Sequence, residues 1–273
     1  MKGICSICLE HGPLSFEHVP PKRVFNHKPA VAHTIYGLSV GSKFKKPPQL
    51  LQGPRGLGRR ALCESCNGKT GAWYGDAFAD WTMQCLAYAE KLRNDTNVLL
   101  PFHIMPLNVI KQILVMALAV SGSKSGGNKI DHLRRFVLSK QSMTLSPEFV
   151  IKTYFNPSDP ARTTNPVLTQ NRLTESCAVL DTRTGTSVFV VAEVAFPPMG
   201  YVVYTALPGV NISGDFASLC DLRCFTQFYY DQKYVPFLHV PVRCPFGPVP
   251  GYYPNLNKRE TKFLDDDHVL LTT

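Results

Sequence analysis

The chain has 273 residues, of which 44% are hydrophobic, 18% are charged and 11% are aromatic. This length is enough for one large domain or two modest ones, with a core that does not require disulfide bonds. The composition excludes a largely disordered chain.

The net charge of +9 is concentrated in the first half of the chain. Residues 1–147 carry 19 Lys+Arg against 8 Asp+Glu, whereas residues 148–273 carry 10 against 12. This excess of cations favours phosphate backbones as partners, through steering and counterion release. Composition alone is equally consistent with a generically soluble basic protein.

No targeting or membrane segment is predicted. Met1 and Lys2 are followed at once by Cys5 and Cys8, where a secretory signal has an apolar stretch. The longest apolar run, residues 113–120, is too short to cross a bilayer. We therefore expect a cytoplasmic protein with no membrane partner.

Helical patterns follow one another in the first half. Apolar residues recur at three- and four-residue steps over 77–93, which predicts a helix with Asp76 as its N-cap. A second helix is predicted over 107–120, after Pro106, with one apolar face that belongs to the core.

A flexible connector is predicted over 121–127, which is rich in Ser and Gly. It precedes a short basic helix predicted over 131–140, in which Arg134 and Arg135 are exposed. Residues 96–147 are therefore interpreted as a helical connector.

From about residue 148 the pattern changes to β-branched and aromatic runs interrupted by Pro and Gly. This predicts a mostly antiparallel β-rich domain over 148–273, with a regulatory, recruiting or self-associating role. The whole chain is expected to be α+β. The predicted strands are 173–180 and 186–196, joined by a turn at 181–185, then 200–207, 224–230 and 234–242.

Two C-x-x-C pairs, Cys5/Cys8 and Cys63/Cys66, lie in the first segment. Two such pairs supply four thiolates to one tetrahedral Zn²⁺, and in a reducing compartment metal ligation is favoured over disulfides. Four thiolates leave no open position for substrate, so the zinc is expected to be structural. The alternatives are two unrelated thiol pairs or a redox C-x-x-C.

Between the pairs lies the run Phe-Glu-His-Val-Pro-Pro-Lys at 16–22, and Asn67 follows the second pair directly. This joint pattern resembles the zinc-stapled members of the HNH endonuclease family. They read C-x-x-C, then Glu-His-(Ile/Val)-Pro-x-Lys, then C-x-x-C-Asn. The resemblance covers about Cys5 to Asp76, and places a nuclease domain over 1–95.

The resemblance implies a ββα-metal finger: a β-hairpin that carries the acidic residue and the histidine, followed by a helix that starts near the second Cys pair. It makes His18 the general base, with Glu17 and Asn67 as ligands of a catalytic Mg²⁺ or Mn²⁺. Phosphodiester hydrolysis needs a deprotonated water and a stabilised 3′ oxygen, tasks that suit a histidine and a hard cation.

Each of these residues also has a plainer interpretation. Glu17 and His18 also fit an exposed turn, and Asn67 also fits a helix cap. The family has a central Asn that orients the catalytic His, and residues 58–62 contain no counterpart. Asn26 is the nearest substitute.

The long loop over 41–60 is rich in Gly, Pro and cations, which allows it to follow a phosphate backbone. A solvated loop is the alternative. The predicted nucleic-acid-binding residues are Lys43, Lys45, Lys46, Arg55, Arg59 and Arg60.

These observations together predict a divalent-metal-dependent HNH-type endonuclease that acts on DNA, with phage defence or restriction as its setting. Two alternatives remain open: a non-catalytic zinc-finger module that binds nucleic acid, and a toxin-like RNase. Glu17 and His18 favour catalysis over the first alternative. They do not discriminate DNA from RNA.

Overall fold

A computed structural model describes most of the chain, and it shows a mixed fold of helices and antiparallel sheets. Lys43, Lys45, Lys46, Arg55 and the predicted strand 173–180 with its turn lie outside the described residues. The described residues are 1–24, 26, 30–33, 51–53, 56–89, 91, 97–123, 127–155, 162–164, 188–196, 198–206, 219–241, 264–265 and 268–271.

The elements of the first part of the chain are β1 (Lys2–Ile4), β2 (His11–His18), β3 (Ala30–His33), β4 (Leu51–Gly53), β5 (Gly58–Cys63), α1 (Glu64–Ala89), β6 (Asn97–Pro101), α2 (Pro106–Ser121), α3 (Gly127–Leu138) and β7 (Phe149–Phe155). The later elements are β8 (Arg162–Thr164), β9 (Val188–Phe196), β10 (Met199–Ala206), β11 (Cys220–Asp221), a 3₁₀ helix (Arg223–Gln227), β12 (Phe237–Pro241), β13 (Leu264–Asp265) and β14 (His268–Leu271).

Strands β1, β2 and β5 form a small antiparallel sheet in that order. Leu14 lies opposite Cys63 and His18 opposite Gly58, with a bulge at Ala61. A Cβ atom on Gly58 would lie 2.0 Å from the carbonyl oxygen of Glu17, so the close approach of the two strands requires glycine there.

Helix α1 begins at Glu64, directly after Cys63, and not at residue 77 as its apolar periodicity predicts. Its first turns are rich in Gly and polar residues, which hides the helical pattern. Asp76 is therefore in mid-helix, where it forms an exposed ion pair with Arg23, and its assignment as an N-cap is wrong.

Helix α2 is buried on every side, not on one face. It packs against α1, α3, β5, β9 and the 3₁₀ helix. Four of its buried residues are polar, Asn108, Lys111, Gln112 and Ser121. The Lys111 ammonium donates to the Ser139 and Lys140 carbonyls beyond the end of α3, at 2.5 and 3.1 Å, and burial lowers its pKa to about 8.

Arg134 in α3 is only 5% exposed, which corrects the prediction of an exposed side chain. Its guanidinium donates to the carbonyls of Ser6 and Ser123 and pairs with Asp131. Because a buried charge needs such partners, Arg134 ties α3 to the loop between Cys5 and Cys8. Arg135 is exposed, as expected.

A large antiparallel sheet has the order β11-β7-β10-β9-β8-β14-β3-β4, and β13 pairs with β14. The predicted strands 186–196 and 200–207 correspond to β9 and β10, which pair with each other. The predicted strand 224–230 is wrong, because the chain forms the 3₁₀ helix there. The Asp221 carboxylate starts this turn by accepting a 2.9 Å hydrogen bond from the Arg223 N–H.

One hydrophobic cluster runs from Cys5 to Val240 and includes residues of all three predicted segments. At its centre the Trp81 indole of α1 donates to the Tyr201 hydroxyl of β10, at 2.8 Å. Strands β1, β2 and β5 together with helix α1 form the hairpin–helix unit. This unit is therefore packed on the helices and the sheet that follow it in the chain.

Candidate metal centre and catalytic site

The four predicted zinc ligands come together in the fold. The Sγ atoms of Cys5, Cys8, Cys63 and Cys66 all lie within 4.8 Å of one another, and those of Cys8 and Cys63 are 3.8 Å apart. A tetrahedral Zn²⁺ with Zn–S bonds of about 2.3 Å separates its sulfurs by about 3.8 Å. This cluster could hold a metal ion such as zinc.

Backbone geometry builds the cluster from two tight turns. Leu9 adopts a positive φ of 63°, and its N–H donates to the Cys5 carbonyl at 3.0 Å, which closes the turn around Cys8. The Cys63 and Cys66 N–H groups donate to the sulfurs of Cys5 and Cys63, at 3.3 and 3.5 Å. Such N–H···S bonds favour thiolates.

The electrostatics of the cluster also favour a cation. Burial raises the pKa of Cys5, but N–H donors from Cys63, Cys8 and Ile7 outweigh it, so the net pKa is below its usual value. Burial and the neighbouring thiolates raise the pKa of Cys66 well above its usual value. Four adjacent thiols cannot all ionise unless a positive ion neutralises them.

Glu17 carries a buried carboxylate on the hairpin. Its side chain lies on β2 and is only 8% exposed, and burial raises its pKa to about 7. None of the residues that the structure describes donates a hydrogen bond to this carboxylate or pairs with it. A buried carboxylate in that state is well suited to receive a cation.

His18 follows Glu17 at the end of β2 and is half-buried. Its imidazole meets the Phe16 ring edge-on, with centroids 4.9 Å apart and an interplanar angle of 86°. The two rings lie two residues apart, which places them on the same face of the strand.

Asn67 lies in the first turn of α1, and its side chain reaches β2. The Nδ2 group donates to the Ser15 Oγ at 3.0 Å and to the Phe16 carbonyl at 3.2 Å. The carboxamide therefore joins the start of the helix to the residue before Glu17, and it does not cap the helix. The helix cap was the alternative role that the sequence left open for Asn67.

Asn26 fixes the chain that follows His18. Its Nδ2 group donates to the carbonyls of Pro20 and Leu57, and its Oδ1 accepts from the Leu57 N–H, each at 2.6 Å. Gly56 has a positive φ of 92°, and a Cβ there would lie 2.4 Å from the Asn26 carbonyl oxygen. Only glycine fits this junction.

The two described arginines of the predicted basic loop differ in their surroundings. The Arg59 guanidinium donates to the Val120 carbonyl at the C-terminal end of α2, at 2.8 Å, so it has a structural contact. Arg60 is exposed and donates to the Leu14 carbonyl at 3.1 Å. Lys22 and Lys69, which were not predicted as binding residues, are also exposed beside the site in sequence.

Comparison with known proteins found no match. The chain matches no protein-family model, no curated protein and no solved structure. Among the described helices, none combines the length and the apolar character that crossing a bilayer requires.

Proposed function

We propose that the protein is an HNH-type endonuclease that hydrolyses DNA with a divalent cation. The observation that carries this proposal is the buried carboxylate of Glu17, whose pKa is raised to about 7, directly before His18. The neighbouring Asn67 amide is anchored to the Phe16 carbonyl. Carboxylates are left in this state at functional sites more often than at structural ones.

The donor set fits Mg²⁺ or Mn²⁺. These ions prefer oxygen ligands and retain several waters, and the Glu17 carboxylate and the Asn67 Oδ1 are such ligands. The Nδ2 group of Asn67 is already bound to β2, which leaves its oxygen as the atom for a cation. A divalent cation held by these residues would stabilise the negative charge on the departing 3′ oxygen.

His18 is assigned the role of general base. An imidazole nitrogen is a suitable acceptor for the proton of the attacking water. The edge contact with Phe16 restricts the rotation of the imidazole. Asn26 holds the backbone two residues further on, at Pro20, and thereby limits the motion of the strand end.

The zinc is assigned a structural role. Its four cysteine ligands hold the turn before β2 against the junction of β5 and α1, and a Cys₄ site leaves no open position for catalysis. The metal thus fixes the strand that carries Glu17 relative to the helix that carries Asn67.

The proposed substrate follows from charge. The first half of the chain carries the cationic excess, and Lys22, Arg60 and Lys69 are exposed. A DNA backbone matches this excess of positive charge. A phage-defence or restriction effector in the cytoplasm is the proposed setting, with residues 148–273 serving regulation, recruitment or self-association.

The decisive experiment incubates the purified, zinc-loaded protein with supercoiled plasmid and with RNA, each with Mg²⁺, Mn²⁺ or EDTA. We expect metal-dependent nicking of the plasmid and none with His18→Ala. Cleavage of RNA alone would identify an RNase instead. Binding without cleavage under every condition would identify a non-catalytic zinc-finger module.

A further inference from the structure

Ser15 lies between the hairpin and the proposed metal ligand Asn67. Its hydroxyl donates to the carbonyl of Leu62, its cross-strand partner on β5, at 2.9 Å. The same oxygen accepts the hydrogen bond from Asn67 Nδ2 at 3.0 Å. The Ser15 hydroxyl therefore connects β5 to the first turn of α1 through two hydrogen bonds.

The direction of these hydrogen bonds determines which way the carboxamide of Asn67 faces. A hydroxyl has one hydrogen, and that of Ser15 is bound to Leu62, so Oγ presents only lone pairs to Asn67. The Phe16 carbonyl is likewise an acceptor. Two acceptors side by side select the NH₂ group of the carboxamide and exclude its oxygen.

We propose that Ser15 is a positioning residue that orients Asn67 so that its Oδ1 faces the divalent cation. The proposal rests on the proposed function, because it assumes a cation at Glu17 and Asn67. Ser15 and Glu17 are two residues apart on β2 and share a face of the strand. The same face of β2 therefore carries the proposed ligand Glu17 and the Ser15 hydroxyl, which orients the proposed ligand Asn67.

Loss of the hydroxyl has a definite consequence. In Ser15→Ala only the Phe16 carbonyl remains to select the NH₂ group, so one hydrogen bond instead of two holds the orientation of the carboxamide. Removal of a group that orients a metal ligand typically weakens metal binding about 10–100-fold. Ser15→Thr keeps the hydroxyl and should retain the wild-type affinity, since threonine is well tolerated in strands.

The experiment measures Mn²⁺ binding to the full-length, zinc-loaded protein by isothermal titration calorimetry. The variants are Ser15→Ala, Ser15→Thr, Asn67→Ala and the double variant Ser15→Ala/Asn67→Ala. Thr153→Val is the matched control, because it removes a strand hydroxyl that donates to the Gly200 carbonyl at 3.0 Å, in the large sheet. NMR records hydrogen exchange of the Asn67 side-chain amide.

We expect Ser15→Ala to bind Mn²⁺ at least about tenfold more weakly, with Ser15→Thr and Thr153→Val unchanged. The double variant should bind no more weakly than Asn67→Ala, because Ser15 acts only through Asn67. The Asn67 amide protons should exchange slowly in the wild type and fast in Ser15→Ala.

Three results would overturn the inference, and they are separable. Wild-type binding with an unchanged Ser15→Ala affinity would refute the role of Ser15 and leave the proposed function standing. If Ser15→Ala and Thr153→Val weaken Mn²⁺ binding equally, the loss of affinity comes from general destabilisation of the fold and not from the orientation of Asn67. If the wild type binds no Mn²⁺ while its amide protons are protected, the cation site itself is refuted.

Discussion

Asn26 and Leu57 bind each other twice, since the Asn26 amide donates to the Leu57 carbonyl and accepts from the Leu57 N–H, both at 2.6 Å. The two residues are separated by 31 positions, yet they close the chain just after β2 and just before β5. The Leu57 carbonyl also accepts from the Val19 N–H at 3.0 Å. The two ends of the intervening segment are thus held together close to the end of β2.

Asn26→Ala should destabilise the protein by about 2–4 kcal/mol, because it leaves the Pro20 carbonyl and the Leu57 N–H without their partner. Urea denaturation of the zinc-loaded protein measures the change. Asn26→Asp keeps only the acceptor for Leu57 and should also be destabilising. A loss below about 0.5 kcal/mol for Asn26→Ala would show that water replaces the amide without cost.

Metal analysis should find about one tightly bound zinc for each chain, held by the four cysteines. Cys63→Ser should lose this zinc and lower the unfolding temperature, because metal binding is coupled to folding. Cys224→Ser is the matched control, since Cys224 is exposed and outside the cluster. Zinc retained in Cys63→Ser, or a Cys5–Cys8 disulfide in freshly reduced protein, would contradict the prediction.

Glu17→Gln should stabilise the zinc-loaded protein above pH 7 when no other divalent cation is present. The pKa of Glu17 rises from 4.5 to about 7 on folding, so the folded state binds more protons between these values. Stability is therefore lost as pH rises through this window, and the glutamine variant lacks this loss. The measurement is the difference in urea midpoint between variant and wild type at pH 4.5, 6 and 8.

Addition of Mn²⁺ should reverse the order of stability, because only the ionised carboxylate binds the cation. Identical pH profiles for the two proteins would mean that Glu17 is solvated in solution.

His18→Ala should lower the rate of DNA cleavage about 10²–10⁴-fold while zinc content and DNA affinity stay nearly unchanged. Asn67→Ala should differ, because raised Mn²⁺ partly restores a site that has lost one ligand but not one that has lost its base. Cleavage rates at a series of Mn²⁺ concentrations separate the two roles. Full activity of His18→Ala would place the active site elsewhere.

Simultaneous replacement of Lys22, Arg60 and Lys69 by glutamine should weaken DNA binding similarly for all sequences. Each lost phosphate contact should reduce the slope of log K against log salt by about 0.9. The control is Lys233→Gln, an exposed lysine of the second half. An unchanged salt slope in the triple variant would assign the interface to other residues, with Arg135 the next to test.

The sequence predicts best those features that depend on spacing. The two C-x-x-C pairs predict the cysteine cluster because ligand spacing is local, and the strands β9 and β10 follow from β-branched runs. Asp76 fails as an N-cap because the helix already starts at Glu64, where contacts across the fold outweigh the poor helix propensity of Gly68 and Gly71.

Other features depend on contacts that no local pattern encodes. Arg134 has the sequence context of a solvated helix residue, yet it is buried because Ser6, 128 positions earlier, presents a carbonyl to it. The role of Ser15 is equally invisible, because it depends on the register between β2 and β5. The roles of Glu17, His18 and Asn67 in catalysis remain predictions.

The burial of α2 on all sides means that the hairpin–helix unit cannot be excised at the end of the helical segment. The Val120 carbonyl accepts a hydrogen bond from the Arg59 guanidinium of β5. The hydroxyl of the next residue, Ser121, donates to the Val191 carbonyl of β9 at 2.7 Å. A chain cut at residue 147 would present this apolar helix to water and aggregate. Any transfer of the unit to another protein must therefore carry the sheet with it.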